Sequence, residues 1–244
     1  MEGVFVERLN RFAALVEING QLEMIHVANS GRMRELFVPG YRMLLKPRPG
    51  AHRKTKYDLA LVDMGFGLAS ADARLPNALV REALDGGRLP QFAGYPQVRP
   101  ESTFGDSRLD FLLEGPAGKC YLETKSVTLV EDGVGLFPDA PTSRGVKHLK
   151  SLEHALADGH RAAVLFVIQR YDARSFSTSD DSDPEFAAAL RHAMAAGVEA
   201  FAYRCRVTER LVELAEQLPI RLAPLPRPDN PDSPNAPEAA HETG

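Results

Sequence analysis

The sequence predicts two unlike halves: a small OB-like β-barrel over residues 1–72, then an α/β domain with a mixed sheet over residues 73–222. Three observations lead there. In the first 70 or so residues, short apolar runs are separated by glycines and prolines at close intervals, the mark of a small β-barrel rather than of βαβ units. Beyond residue 73, helix-like and strand-like runs alternate. Residues 107–129 read as two strands, apolar on both faces, around a Gly115-Pro116-Ala117-Gly118 turn, as in a sheet covered on both sides.

In the first half, strands are expected at residues 3–9, 12–18, 22–27, 43–47 and 57–63, punctuated by Gly20, Gly31, Gly40, Pro47, Pro49 and Gly50. Between them, residues 29–36 combine turn residues with Arg32 and Arg34. That segment is either a phosphate-contacting loop or a capped turn into a short helix. In the second half, Pro76 opens a short helix that Gly86-Gly87 closes. Thr142 or Ser143 caps a helix over 145–158 with Leu149, Leu152 and Leu156 on one face, stopped by Gly159. A buried strand over 161–168, a helix beginning at Asp183-Pro184-Glu185 and ended by Gly197, and a strand over 199–207 complete the alternation. Residues 223–244, rich in proline and acid, cannot bury a core and are expected to be disordered.

With 244 residues, 44% hydrophobic and 25% charged, the chain has the composition of an ordinary soluble protein. It has no apolar run of about 18 residues and no basic region followed by a signal core, so the expected location is the cytoplasm, without membrane contact. Cys120 and Cys205 lack metal-ligand spacing and read as buried free thiols. The net charge of −4 does not suggest a nucleic-acid binder, but the tail carries one arginine against four acids. Positive charge gathers at Lys46, Arg48, His52, Arg53, Lys54 and Lys56, a patch that can bind phosphate on a nearly neutral protein.

The chemistry centres on the hairpin. Glu123 and Lys125, two apart on a strand, point the same way with Cα atoms ~6.6 Å apart. A pairing that brings Asp110 alongside converges two carboxylates and a lysine, which is how a Mg²⁺-dependent nuclease holds its metal and positions water. By itself the acid-x-Lys pair says little, because 33 acids and seven lysines produce about one by chance, and one occurs. A solvated Glu–Lys face is the alternative. The apolar surroundings argue against it, since charges inside covered strands are costly unless paired or used. Glu82 on the short helix is either a third carboxylate or an exposed helix acid. Arg144, Lys147 and His148 occupy a helix's first turn, where N–H groups favour phosphate and cations are unfavourable. A bound phosphate accounts for them, as does a solvated turn. Residues 127–140 read as a flexible segment able to close over substrate.

Three motifs are long enough to carry a resemblance: RLDF before the turn, ETKSVTL after it with FPDAPTSRGVKHL beyond, and Asn29-Ser30-Gly31-Arg32-Met33. Over about residues 3–222 the chain resembles the sugar fermentation stimulation protein family. The resemblance implies an N-terminal OB-like domain joined to a PD-(D/E)xK nuclease-like α/β domain, and a DNA-binding role linked to sugar utilisation. It implies Asp110 and Glu123 as ligands of Mg²⁺ or Mn²⁺, Lys125 as the group that orients water or stabilises phosphate charge, and Glu82 as a helix-borne acid. Leu109 stands where such nucleases often carry proline, a tolerable departure because the acid binds the metal.

Two functions compete on these residues. One is a metal-dependent phosphodiesterase acting on DNA or RNA, with Arg32, Arg34, Arg53, Lys54, Lys56, Arg144, Lys147 and His148 on the nucleic acid. Without Trp, base stacking would fall to Tyr41, Tyr57 and Phe66. The other is a non-cutting DNA-binding regulator of sugar utilisation genes. Hydrolysis by a Ser or Cys nucleophile finds no support, because no serine sits in a Gly-x-Ser-x-Gly turn. No helix is rich in base-reading side chains, so weak sequence preference is expected.

Overall fold

The computed structural model describes residues 1–50 and 53–223; His52 of the basic cluster, and the tail from residue 224, lie outside the described residues. The first half is built of β1 (Glu2–Asn10), β2 (Ala13–Ile18), β3 (Gln21–His26), β4 (Arg42–Pro47), β5 (Tyr57–Asp63) and β6 (Leu68–Ser70). Its order is β3-β2-β1-β4-β5-β6, and a parallel bridge between His26 and Asp58 joins β3 to β5 and closes a five-stranded barrel. The β2–β3 connection is Asn19-Gly20 with φ of 51° and 78°, the two-residue turn whose twist matches a hairpin. Alternation along β2 turns Ala14, Val16 and Ile18 inward, where they meet Phe5, Ile25, Met43 and Leu59. Residues 29–36 form no helix. They cross the barrel end as a loop with Met33 and Leu36 fully buried.

The second half begins with α1 (Leu75–Asp85), followed by β7 (Gln97–Phe104), β8 (Ser107–Gly115), β9 (Gly118–Val127), β10 (Val130–Glu131), β11 (Val134–Phe137), α2 (Ser143–Ala157), β12 (Arg161–Ile168), β13 (Ser175–Thr178), α3 (Pro184–Ala196), β14 (Glu199–Val207) and β15 (Val212–Leu218). Six of these strands make one mixed sheet, β15-β14-β12-β9-β8-β7, in which β12 runs parallel to both β9 and β14. Thr142 Oγ1 caps α2 by accepting from Gly145 N, and Asp183 caps α3 through Phe186 N. Leucines and Phe186 of α2 and α3 cover one face of the sheet, with Val164, Phe166 and Ile168. Leu79, Val80 and Ala83 of α1 cover the other, with Leu122, Leu165 and Val167.

One expectation changes here, and two strands went unpredicted. Residues 127–140 are not a free flap: β10 and β11 form a hairpin whose second strand pairs in parallel with β13. Phe137 then packs on Phe166 and Phe186, with ring centroids 5.8 and 5.0 Å apart. The strands β7 and β15 were not legible because they are the two edges of the sheet. An edge tolerates the polar, proline-containing sequence of β7, which a central strand excludes.

Candidate active site

The hairpin of β8 and β9 carries the acids to the point where it opens. Paired residues run from Gly115↔Gly118 to Phe111↔Leu122. Beyond that pair the strands part, and carboxylates take the freed backbone donors. Asp110 N–H donates to Glu123 Oε2 at 3.3 Å, and Thr124 N–H donates to Asp110 Oδ2 at 2.8 Å. The second oxygen of Asp110, Oδ1, accepts from Asn77 Nδ2 on the first turn of α1 at 2.8 Å.

Glu123, Lys125 and His148 are 3%, 9% and 5% exposed. Lys125 Nζ donates to Glu123 Oε1 at 2.7 Å, and His148 Nδ1 bonds the same oxygen. Arg144 Nε donates to His148 Nε2 at 3.3 Å. Lys125 Nζ also lies 3.3 Å from His148 Nδ1, so lysine, histidine and Glu123 form one buried cluster. Burial alone would raise the Glu123 carboxyl, but Lys125 and His148 outweigh it and hold it below the usual range. Asp110 moves the other way, raised first by burial and then by the charge of Glu123, against the pull of Thr124 N–H, Asn77 and Lys125. Two neighbouring acids are thus held in opposite directions.

The raised Asp110 carboxyl binds its proton more tightly in the folded chain than in the unfolded one. Its contribution to stability is therefore present at low pH and lost as pH rises from about 3.9 through the raised value. Asp110→Asn removes that cost. We expect its urea midpoint in EDTA at pH 7 to exceed that of the parent chain, while any stabilisation by divalent cation disappears.

The donor set fits a hard cation. The two acids are neighbours, Asp110 N–H donating to Glu123 Oε2, and Asp110 bears an unfavourable charge from Glu123 that a divalent ion would cancel. Among the described residues there is no group of three or more His, Cys, Asp and Glu that could hold a metal. Two acids suit an ion such as Mg²⁺ that keeps several waters, not a closed all-protein cage.

Other expected site residues lie elsewhere. Glu82 is five positions past Asn77, about 140° around the helix, and its exposed carboxylate pairs with Arg88 at 2.8 Å. Asn77, not Glu82, is what α1 brings to Asp110. His148 is buried against Glu123; the first-turn cations of α2 have acceptors within the chain, Arg144 on His148 and Lys147 on Asp106 at 3.0 Å. Arg53 pairs with Asp58, and Lys56 with Glu23 at 2.9 Å; Lys54 lines a separate hollow beside Phe12. Tyr41 and Tyr57 pack against the barrel core, whereas Phe66 is exposed. Cys120 and Cys205 are free and buried, and burial pushes both thiols up to about 12, which leaves neither as a nucleophile.

Arg32 and Arg34 do belong to a cleft, of about 720 Å³, between the barrel and the α/β domain. Arg11 joins them from the β1–β2 turn, and Ser126, the neighbour of Lys125, forms part of the opposite wall. Arg8 shapes this cleft from behind: it donates to the carbonyls of Arg11, Gly31 and Arg32 and lies 4.4 Å over the Phe37 ring. Met33 N–H donates to Asp139 Oδ2 at 3.0 Å across the two domains. Gly31 permits that approach, because a Cβ there would lie 2.7 Å from the same oxygen. The NSGRM and FPDAP motifs, distant in sequence, therefore meet. Neither Asp139, Arg8 nor Arg11 carries a local sequence signal for this, and Asn77 is an ordinary first-turn residue until the fold sets it beside Asp110.

Comparison with known proteins agrees with this architecture. Residues 6–70 match the family model described as the SfsA N-terminal OB domain, and residues 74–211 that of the sugar fermentation stimulation protein RE domain. A sugar fermentation stimulation protein homolog from Desulforamulus reducens is 46% identical over 222 residues, 91% of this chain and 92% of the relative. One from Clostridium botulinum is 43% identical over 219 residues, 89% of this chain and 95% of the relative. The solved structure of Pyrococcus furiosus SfsA in complex with Ca²⁺ superposes with a TM-score of 0.83 at 31% identity, covering 90% of this chain and 95% of that one. No helix among the described residues is long and apolar enough to cross a membrane. The chain belongs to the sugar fermentation stimulation protein family.

Proposed function

We propose that the protein binds nucleic acid with little sequence preference and cleaves its phosphodiester backbone with a divalent metal, Mg²⁺ or Mn²⁺. The observation that carries this reading is the convergence of Asp110, Glu123 and Lys125 where β8 and β9 part. A DNA-binding regulator has no use for a half-buried aspartate beside a buried glutamate and a buried lysine. The relative from Pyrococcus furiosus was solved in complex with Ca²⁺, a hard cation of the kind that carboxylates hold. Bound at the acids, such an ion would polarise a phosphate oxygen and lower the pKa of a coordinated water.

In this reading Asp110 and Glu123 hold the cation. Asn77 and Thr124 N–H fix the Asp110 carboxylate, and His148 fixes Glu123 while Arg144 braces the His148 ring. Lys125 keeps its ammonium beside the acids, where it orients the attacking water and stabilises charge developing on the phosphate. Arg11, Arg32 and Arg34 hold the strand in the cleft. None of the three has an ion-pair partner among the described residues, so their charge is free for phosphate.

Two measurements test the reading. Calorimetric titration with Mg²⁺ should show binding by the parent chain and none by Asp110→Asn; equal binding by both removes the acids as ligands. Replacing Arg11, Arg32 and Arg34 together with alanine should weaken oligonucleotide binding and flatten the slope of log K against log salt by about 2, at ~0.7 to 0.9 per phosphate contact. An unchanged slope places the strand elsewhere.

A further inference from the structure

A second cavity, of about 330 Å³, lies between the barrel and the turn joining β14 to β15, and it reaches the start of α1. Four cations line it from three parts of the chain: Lys46 and Arg48 at the end of β4, Arg74 at the N-cap of α1, and Arg210 in the β14–β15 turn. Its anchor is Asp58, a buried carboxylate 2% exposed. Asp58 is shared by three guanidinium groups: Arg48 at 3.4 Å, Arg74 at 3.4 Å, and Arg53. Arg74 finds its bidentate partner in Asp72, at 2.8 and 2.6 Å, and Glu209 of the lining pairs with Arg42; Arg48 and Arg53 are left to compete for Asp58, one carboxylate for two forks built for bidentate anion binding. Lys46 and Arg210 are exposed and have no ion-pair partner among the described residues. The floor is apolar, formed by Leu59, Leu61 and Leu75.

We propose that this cavity binds a small phosphorylated molecule, no larger than a mononucleotide. Lys46, Arg48 and Arg210 supply phosphate recognition, and the apolar floor takes the body of the ligand. The volume falls at the small end of the range for small-molecule sites, roughly 300–1,000 Å³. A nucleic-acid backbone offers the same phosphate chemistry, but a cavity of about 330 Å³ with an apolar floor favours the free molecule. Arg74 stands three residues before Asn77, which holds Asp110, so the cavity and the candidate active site share the first turn of α1.

The test uses the full chain in EDTA, with thermal-shift and calorimetric titrations of pyrophosphate and of AMP. We expect saturable stabilisation by at least one of the two. The Lys46→Ala/Arg210→Ala double variant, which alters only exposed side chains, should weaken that binding about 10-fold or more. Lys125→Ala should leave it unchanged, which separates this cavity from the candidate active site. Absence of saturable binding overturns the proposal. So does binding that survives the double variant, or a response confined to an oligonucleotide of the same phosphate concentration.

Discussion

Lys125→Ala is expected to lower metal-dependent phosphodiester cleavage by about 10²–10³-fold, the loss typical of removing one group that stabilises transition-state charge. Oligonucleotide affinity should stay within about threefold, because the ammonium lies inside the site, 9% exposed, and the cleft arginines remain. Nothing else in the described structure can take its place. Arg144 is spent on His148 and Lys147 on Asp106. Lys125→Met, which keeps most of the volume without the charge, should show the same loss, so a packing defect is not the cause. Single-turnover rates in Mg²⁺ with saturating oligonucleotide provide the measurement. Cleavage by Lys125→Ala at the parent rate would remove the lysine from the chemistry.

Glu123→Ala is expected to destabilise the protein by about 3–5 kcal/mol, the usual cost of breaking a buried ion pair from one side. Lys125 Nζ would lose its 2.7 Å partner and His148 Nδ1 its acceptor, both inside the sheet–helix layer. The carboxyl is held below its ordinary range, so its stabilisation is fully present above about pH 4.3 and is lost as pH falls through the lowered folded value. Asp110 contributes with the opposite sign. Urea denaturation of the parent chain and Glu123→Ala from pH 3 to 7 should show the gap between them narrowing at the acidic end. A gap that does not narrow there would mean Glu123 acts through packing rather than through its charge.

Much of the fold was legible because the signals were local. The Gly115-Pro116-Ala117-Gly118 turn and the apolar residues flanking it define β8 and β9. Strand parity alone places Glu123 and Lys125 on one side, and the caps Thr142 and Asp183 mark where α2 and α3 begin. What was not legible depends on orientation and on distant partners. First-turn position identifies Arg144, Lys147 and His148 as a group but does not say which of them points into the sheet; the packing of α2 turns His148 inward onto Glu123. A short helix beside the hairpin suggests an acid such as Glu82, yet the apolar face of Leu79, Val80 and Ala83 rotates Asn77 toward Asp110 and leaves Glu82 in solvent. Asp139 gains its role only when Met33 arrives from the other domain.

The measurement that tests the central claim most directly is a cleavage time course of the parent chain on labelled single-stranded and duplex DNA and on RNA, in Mg²⁺, Mn²⁺ or EDTA. The account predicts strand scission in Mg²⁺ or Mn²⁺ and none in EDTA. Binding that is unaltered by EDTA, with no scission in either metal on any of these substrates, would contradict it.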